Sequence, residues 1–216
     1  MGLLCLRTEV LAWANEKNGR YIIEDDYDSE FRPNGKPLPT LFSMDACENV
    51  IYMNTFSKSL TPTIRISYMI LPVHLANQFY RQLSFYSCTV SNFEQYTLAA
   101  FIDQGYFEKH INRMRLFYSR QRKKLIEAIE HSSLKEKCQI IENDSGLHFL
   151  LHLQTELSDQ CLSEQLMQQG IKMRPLSEYF LTAENSREHY FIINYSSVDL
   201  EKIPAACERI SQLLSE

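Results

Sequence analysis

Glycine is scarce in this chain, with 6 residues among 216, and prolines number only 7. Collagen-like repeats and low-complexity disorder are thereby excluded. No apolar run approaches the roughly 20 residues of a membrane-spanning helix. The opening Met-Gly-Leu-Leu-Cys-Leu lacks the basic start and long apolar stretch of a secretory signal, and Leu6 stands where a myristoylation signal needs Ser or Thr. Basic charge is also in deficit: 22 Lys and Arg against 27 Asp and Glu give −5. Nucleic-acid binding is therefore not the expected work of this chain, and neither DNA nor membrane is expected as a partner. The six cysteines (5, 47, 88, 138, 161 and 207) form no Cys-x-x-Cys pair and no His-rich cluster. Zinc ribbons and redox dithiols are unsupported, which leaves buried free thiols in a reducing compartment. The expectation is a soluble cytoplasmic protein, whose 44% hydrophobic content is ample for a core.

What is present falls into three stretches. In the first third, short β-rich runs end in polar clusters. Tyr21-Ile22-Ile23 leads into Glu24-Asp25-Asp26, and residues 49–53 lead into Asn54-Thr55-Phe56-Ser57-Lys58. Residues 64–71 form a third run. Near-continuous apolar strands of this kind predict an α/β sheet buried on both faces. Residues 32–39 are a turn-rich loop stiffened by prolines. The middle is helical by its apolar spacing, over 74–86, 92–104 and 106–131, and Ser91 with Glu94 reads as a capping box. In the longest helix Ile111, Met114, Phe117, Leu125 and Ile129 mark the buried stripe, and its arginines and lysines read as a solvated face. The last 80 residues or so read as an α+β unit, with strands at 139–141, 147–153, 171–174 and 190–194. Its helices span 158–169 and 198–214, the first ended by Gly170. The predicted division is an α/β part over 1–105, then a long connecting helix and small α+β domain over 106–216.

Chemistry gathers in the first third. Asp25 and Tyr27 lie just past a strand end, two residues apart and so on one side. Lys58 follows the next strand among the hydroxyls of Thr55, Ser57 and Ser59, and Arg65 comes seven residues later. Ligands of open α/β sheets bind beyond the carboxyl ends of the strands. A carboxylate, phenol, amine, hydroxyls and guanidinium there match the needs of pyridoxal 5′-phosphate. The amine forms a Schiff base with the aldehyde, and the carboxylate keeps the pyridine nitrogen protonated so that the ring acts as an electron sink. Hydroxyls and an arginine hold the phosphate. Each residue alone has an ordinary reading, as a loop lysine, a helix cap or a surface arginine. The ordered set carries the inference.

Four stretches carry a family resemblance: Tyr21-Ile-Ile-Glu-Asp-Asp-Tyr-Asp-Ser-Glu-Phe31, Asn54-Thr-Phe-Ser-Lys-Ser-Leu60, Glu94 to Arg115 (including Gly105-Tyr-Phe-Glu-Lys-His-Ile-Asn-Arg-Met-Arg115) and Ser145-Gly-Leu-His148. Together they closely resemble the fold-type I aminotransferase-like domain of MocR/GabR-type transcription regulators. The resemblance implies the C-terminal part of a fold-type I large domain followed by a smaller α+β domain. It implies Asp25 as partner of the pyridine nitrogen, Tyr27 as partner of the ring oxygen and Lys58 as the Schiff-base lysine. It also implies Thr55, Ser57 and Arg65 as phosphate ligands, a homodimer, and His148 packed near the cofactor. The departures are equally specific. The usual domain is about twice as long, and the first half that supplies the phosphate loop and stacking aromatic has no counterpart here. Thr63 and Ser67 replace glycines near the phosphate arginine. Ile192 stands where many relatives carry the arginine for the substrate carboxylate; Arg174 is either its substitute or a surface charge. His148 and His152 share a strand face, but no third metal ligand is evident.

Three functions follow from that resemblance. The first is pyridoxal-phosphate-dependent transamination of an amino acid or amine through Lys58. The others are an effector-sensing module of such a regulator, and a truncated non-catalytic remnant of one. In a half-length domain, exposed sheet edge and apolar surface are expected.

Overall fold

The computed structural model describes residues 2–31, 39–141, 146–181 and 187–215. Most of the proline-rich loop (32–38) and Ser145 lie outside them. The chain divides into two compact units, one of residues 1–30 with 36–112 and one of 31–35 with 113–216.

The first unit opens with helix α1 (Gly2–Asn15), followed by strand β1 (Ile22–Asp25), the single turn α2 (Leu41–Met44) and strand β2 (Val50–Thr55). The turn α3 (Phe56–Ser59), strand β3 (Ser67–Ile70), helices α4 (Val73–Leu83) and α5 (Asn92–Asp103), and the start of α6 (Tyr106–Glu130) complete it. β1 and β2 pair in parallel and β3 joins β2 antiparallel, giving the order β1-β2-β3. Ser91 caps α5 as its sequence predicts, accepting from the Glu94 amide while its hydroxyl reaches the Glu94 carboxylate.

One helix is added to the sequence reading, and two expectations need correction. Helix α1 is not legible, because its apolar residues are spread around the helix and only Leu11 and Ala14 are buried among its described side chains. The sheet is not buried on both faces: Ile23 is 65% exposed and Met69 48%. The third strand starts at Ser67 rather than residue 64, since Arg65 adopts φ +47, the left-handed region no extended strand uses.

The second unit contains strands β4 (Cys138–Ile141) and β5 (His148–Leu153), helix α7 (Asp159–Gln168), the short β6 (Arg174–Pro175), β7 (Tyr190–Asn194) and helix α8 (Ile203–Leu213). Its sheet is antiparallel throughout, ordered β4-β5-β7-β6. On β5, Phe149, Leu151 and Leu153 are buried while His148, Leu150 and His152 between them are half-buried, the period of two that a one-sided strand requires. Leu162 and Leu166 of α7, Leu125 and Ile129 of α6, and Ile210 and Leu213 of α8 are buried with them. Gly170 follows α7 at φ +78, a conformation that costs glycine nothing.

Two readings here also change. Phe117 does not belong to the buried stripe of α6; it is exposed, and Tyr118 turns inward instead, its ring edge-on to Phe31 at 5.1 Å. α8 begins at Ile203 rather than residue 198, because Asp199 accepts from the Glu201 amide and pairs with Lys202 at 3.1 Å, closing a turn before the helix. The six cysteines are free, but Cys5, Cys47 and Cys88 are exposed and Cys138 and Cys161 half-buried, so the expected burial holds only for Cys207. Burial pushes the Cys138 thiol up to about 11, which keeps it protonated and unreactive. Among the described residues no helix is long and apolar enough to cross a membrane.

Candidate active site

The three acids after the first apolar run have three different fates, decided by strand alternation. Glu24 points to one sheet face and caps the turn α2, accepting from the amides of Leu41 (2.8 Å) and Phe42 (3.0 Å). Asp26, just past the strand, accepts from the Tyr52 hydroxyl at 2.9 Å. Asp25 lies on the opposite face, register partner of Met53, and is exposed. It makes no hydrogen bond or ion pair among the described residues, so its carboxylate is uncommitted.

The next strand ends in a built turn. The Thr55 hydroxyl accepts from the Ser57 amide at 3.2 Å and lies 3.1 Å from the Ser57 hydroxyl and 3.2 Å from the Ile66 carbonyl oxygen. The Phe56 amide donates to that same carbonyl. These bonds fix α3, whose third residue is Lys58. β3 runs antiparallel with Ser67 opposite Thr55, so Arg65, two residues earlier, stands at the same end of the sheet. The carboxyl ends of β1 and β2 and the start of β3 thus bring Asp25, Tyr27, Thr55, Ser57, Lys58 and Arg65 to one sheet end, as the strand-end argument requires. Lys58 and Arg65 are exposed and, like Asp25, form no hydrogen bond or ion pair among the described residues. A non-glycine residue at φ +47 costs on the order of 1 kcal/mol. That strain sits on a residue whose guanidinium stands at this end of the sheet.

A polar chain that sequence reasoning does not single out occupies the other face. Asn54, 5% exposed, donates to the Tyr52 hydroxyl (3.0 Å) and to Glu30 (3.3 Å). Burial pushes the Glu30 carboxyl above the usual carboxylate range, and burial also raises the Tyr52 and Tyr68 phenols. Glu30, Asn54 and Tyr68 border a cavity of about 570 Å³ within this unit, walled by Phe56, Ile66 and Phe107. The available signal was the alternation of Tyr52 and Asn54 along β2, which puts both on the face opposite Asp25 and Met53.

In the second unit, Arg174 is the cross-strand partner of Ile192. Register places Ile192 beside Leu150, with His148 and Asn194 paired one step along, so these side chains share a face with Arg174. His152 packs against Tyr190, the ring centroids 4.6 Å apart and the planes tilted by 43°, rather than standing as a bare ligand. Among the described residues no three His, Cys, Asp or Glu cluster for a metal.

The family model for aminotransferase class I and II matches residues 7–210. This chain belongs to that family. It is 46% identical over 171 residues to an uncharacterized HTH-type transcriptional regulator, YdeL, of Bacillus subtilis (strain 168), covering 79% of this chain and 36% of that protein. YhdI, an uncharacterized HTH-type transcriptional regulator from the same strain, is 39% identical over 204 residues, 94% of this chain and 43% of its own length. The fold matches a kynurenine aminotransferase of Pyrococcus horikoshii, solved in complex with PMP, with TM-score 0.80 and 26% identity over 97% of this chain and 51% of that one. The chain thus spans less than half the length of these two regulators and about half of the solved aminotransferase. Membership of the aminotransferase class I and II family supports pyridoxal phosphate as the cofactor, and the uncommitted carboxylate, amine and guanidinium fit its ring nitrogen, aldehyde and phosphate.

Proposed function

We propose that this chain binds pyridoxal 5′-phosphate and transaminates an amino acid or amine through Lys58. The observation that carries the reading is the convergence of Asp25, Lys58 and Arg65 at one sheet end, each without a hydrogen bond or ion pair among the described residues. The cofactor, when bound, supplies an aldehyde for the Lys58 amine and a ring that takes up electron density from the substrate. Asp25 holds the ring nitrogen protonated, and Tyr27 donates to the ring oxygen. Arg65 takes the phosphate with the hydroxyls of Thr55 and Ser57, the guanidinium by paired charge-assisted bonds. The Lys58 amine then moves the proton at the substrate α-carbon.

Arg174 is the substrate-carboxylate residue in this reading. Its support is register: the side chain sits directly across from Ile192, within about 5 Å at Cβ, so a guanidinium on β6 can serve where β7 offers only a hydrocarbon. The test compares keto-acid formation from α-amino acids and from amines lacking a carboxylate, in the wild type and in Arg174→Met. KM for the amino acids is expected to rise about 10- to 100-fold, as loss of a charge-assisted bond worth roughly 1.5–3 kcal/mol requires, with the plain amines unaffected. Equal effects on both classes would remove Arg174 from the site.

A sensing role is the second reading, and the relatives favour it, because YdeL and YhdI are named as transcriptional regulators. An amine that shifts the cofactor's absorbance with no keto acid released selects sensing over turnover.

The functional form is proposed to be a homodimer. Tyr80, Phe85, Tyr86, Phe93 and Tyr96, on and between α4 and α5, are each 70% exposed or more. Aromatic residues at such density are typical of interface cores and far from the ordinary surface. Sedimentation of the cofactor-loaded chain at twice the monomer mass is expected, and Phe93→Glu with Tyr96→Glu should return it to monomer. A wild type that sediments as a monomer excludes this.

A further inference from the structure

A carboxylate, an imidazole and a phenol are linked in series at the end of the first sheet away from Lys58. Tyr21 immediately precedes β1, Glu48 comes just before β2, and His74 follows β3 as the second residue of α4, so the sheet topology brings all three to one end. The Tyr21 hydroxyl lies 2.8 Å from His74 Nε2, and His74 Nδ1 lies 3.3 Å from Glu48 Oε2. The chemistry of the two ends assigns the roles. A carboxylate only accepts hydrogen bonds, so Nδ1 carries its proton toward Glu48 and Nε2 is left to accept from the phenol. A nucleophile bonded to a base that a third group orients is the arrangement that activates weak nucleophiles in covalent catalysis. Two further features mark the place. Glu48 adopts φ +57, a left-handed conformation that a non-glycine residue keeps only where its surroundings impose it, and such residues cluster at functional sites. α4 has no side-chain cap, so amide donors of the kind that hold a developing oxyanion stand on the same helix end as His74. All three side chains are exposed, and none takes part in the chemistry proposed for Lys58.

We propose that Tyr21 is a nucleophile toward activated aryl esters, with His74 as its general base and Glu48 as the residue that positions the imidazole. In the step, the Tyr21 oxygen bonds to the acyl carbon while the ester's bond to its aryloxy group breaks. The phenol proton passes to His74 Nε2, which gives it to the departing aryl oxide. Tyr21 is left carrying the acyl group. That product is itself an aryl ester, and water deprotonated by the same imidazole returns it to free tyrosine and a carboxylic acid. Aryl esters are the substrate class because the group expelled must leave as readily as the tyrosine phenolate that replaces it. Alkyl esters, whose alkoxides leave far less readily, are not expected to react.

The test treats the 216-residue chain, without added pyridoxal phosphate, with p-nitrophenyl acetate and follows acetylation of each tyrosine by peptide mass spectrometry. Tyr179 and Tyr106 are internal controls: they are 60% and 50% exposed against 36% for Tyr21, and neither is hydrogen-bonded to a histidine among the described residues. Labelling set by exposure alone would favour both controls. Acetylation of Tyr21 at least about 10-fold faster than either is expected, below the roughly 10²- to 10⁴-fold of a positioned base in an enclosed site. His74→Gln keeps a side chain that can hydrogen-bond but removes the base, and should bring Tyr21 down to the controls. Glu48→Gly separates positioning from a structural tie. It removes the carboxylate and suits the positive φ, so labelling should fall at least about 3-fold while the melting temperature holds or rises. Tyr21 labelled no faster than the controls overturns the proposal, as does Tyr21 labelled equally fast in His74→Gln and wild type. Unchanged labelling in Glu48→Gly strikes Glu48 from it. None of these readouts involves Lys58, so they stand or fall apart from the reading of the other sheet end.

Discussion

Lys58→Ala is expected to abolish the near-visible absorbance that the cofactor acquires when it condenses with a lysine, and to lower keto-acid formation by at least about 10³-fold. Two losses combine in that figure. One is the amine that makes the covalent link. The other is the positioned base at the substrate α-carbon, a role worth about 10²- to 10⁴-fold by itself. The substitution isolates chemistry from folding, because Lys58 is exposed and forms no hydrogen bond or ion pair among the described residues. Truncating such a side chain changes stability by only about 0.5 kcal/mol or less. The α3 turn that presents it is held by Thr55, Phe56 and Ile66, none of which is touched. Equal spectra and unchanged thermal unfolding for both proteins would remove Lys58 as the attachment point, and with it the reading of the whole sheet end.

The residues of that sheet end were legible in the sequence because their chemistry is local. Asp25, Lys58 and Arg65 each sit within a few residues of an apolar run, and open α/β sheets place such positions together. The sorting of Glu24, Asp25 and Asp26 was not legible. Which acid caps α2, which meets Tyr52 and which stays uncommitted depends on the phase of a four-residue strand, and a one-residue shift exchanges all three. The chain Asp26, Tyr52, Asn54, Glu30 was invisible for a related reason. It joins residues up to 28 positions apart through side-chain bonds, and no local pattern encodes that closure. Arg65 shows a third limit: arginine has no special preference for φ +47, so the shortened third strand follows from the tertiary turn and not from the residue. In the second unit the reading was uneven: α7 starts as expected after its Ser158 cap, but the run expected as a strand over 171–174 becomes strand only at Arg174–Pro175. β7 at Tyr190–Asn194 coincides with its apolar run, whereas α8 is delayed by the Asp199 turn.

Phe149→Ala is expected to destabilise the second unit by about 3–5 kcal/mol, a large part of the 5–15 kcal/mol that holds a typical domain together. Position sets the size of the effect. Phe149 is fully buried in β5, register partner of Ile193, and its ring stacks with that of Tyr195 at 6.4 Å. Tyr195 is itself buried, its hydroxyl donating to the Gly146 carbonyl oxygen at 2.8 Å. Removing the ring therefore costs its burial, leaves a cavity the strand cannot collapse around, and deprives Tyr195 of an aromatic contact worth about 0.5–1.5 kcal/mol. The informative comparison is His152→Ala on the same strand. His152 lies on the other, half-buried face against Tyr190, where truncation should cost about 1 kcal/mol or less. Urea unfolding followed by hydrogen exchange in residues 147–153 reads both. A clear gap between the two variants follows from the alternation of β5, and equal costs would contradict the burial of one face of that strand.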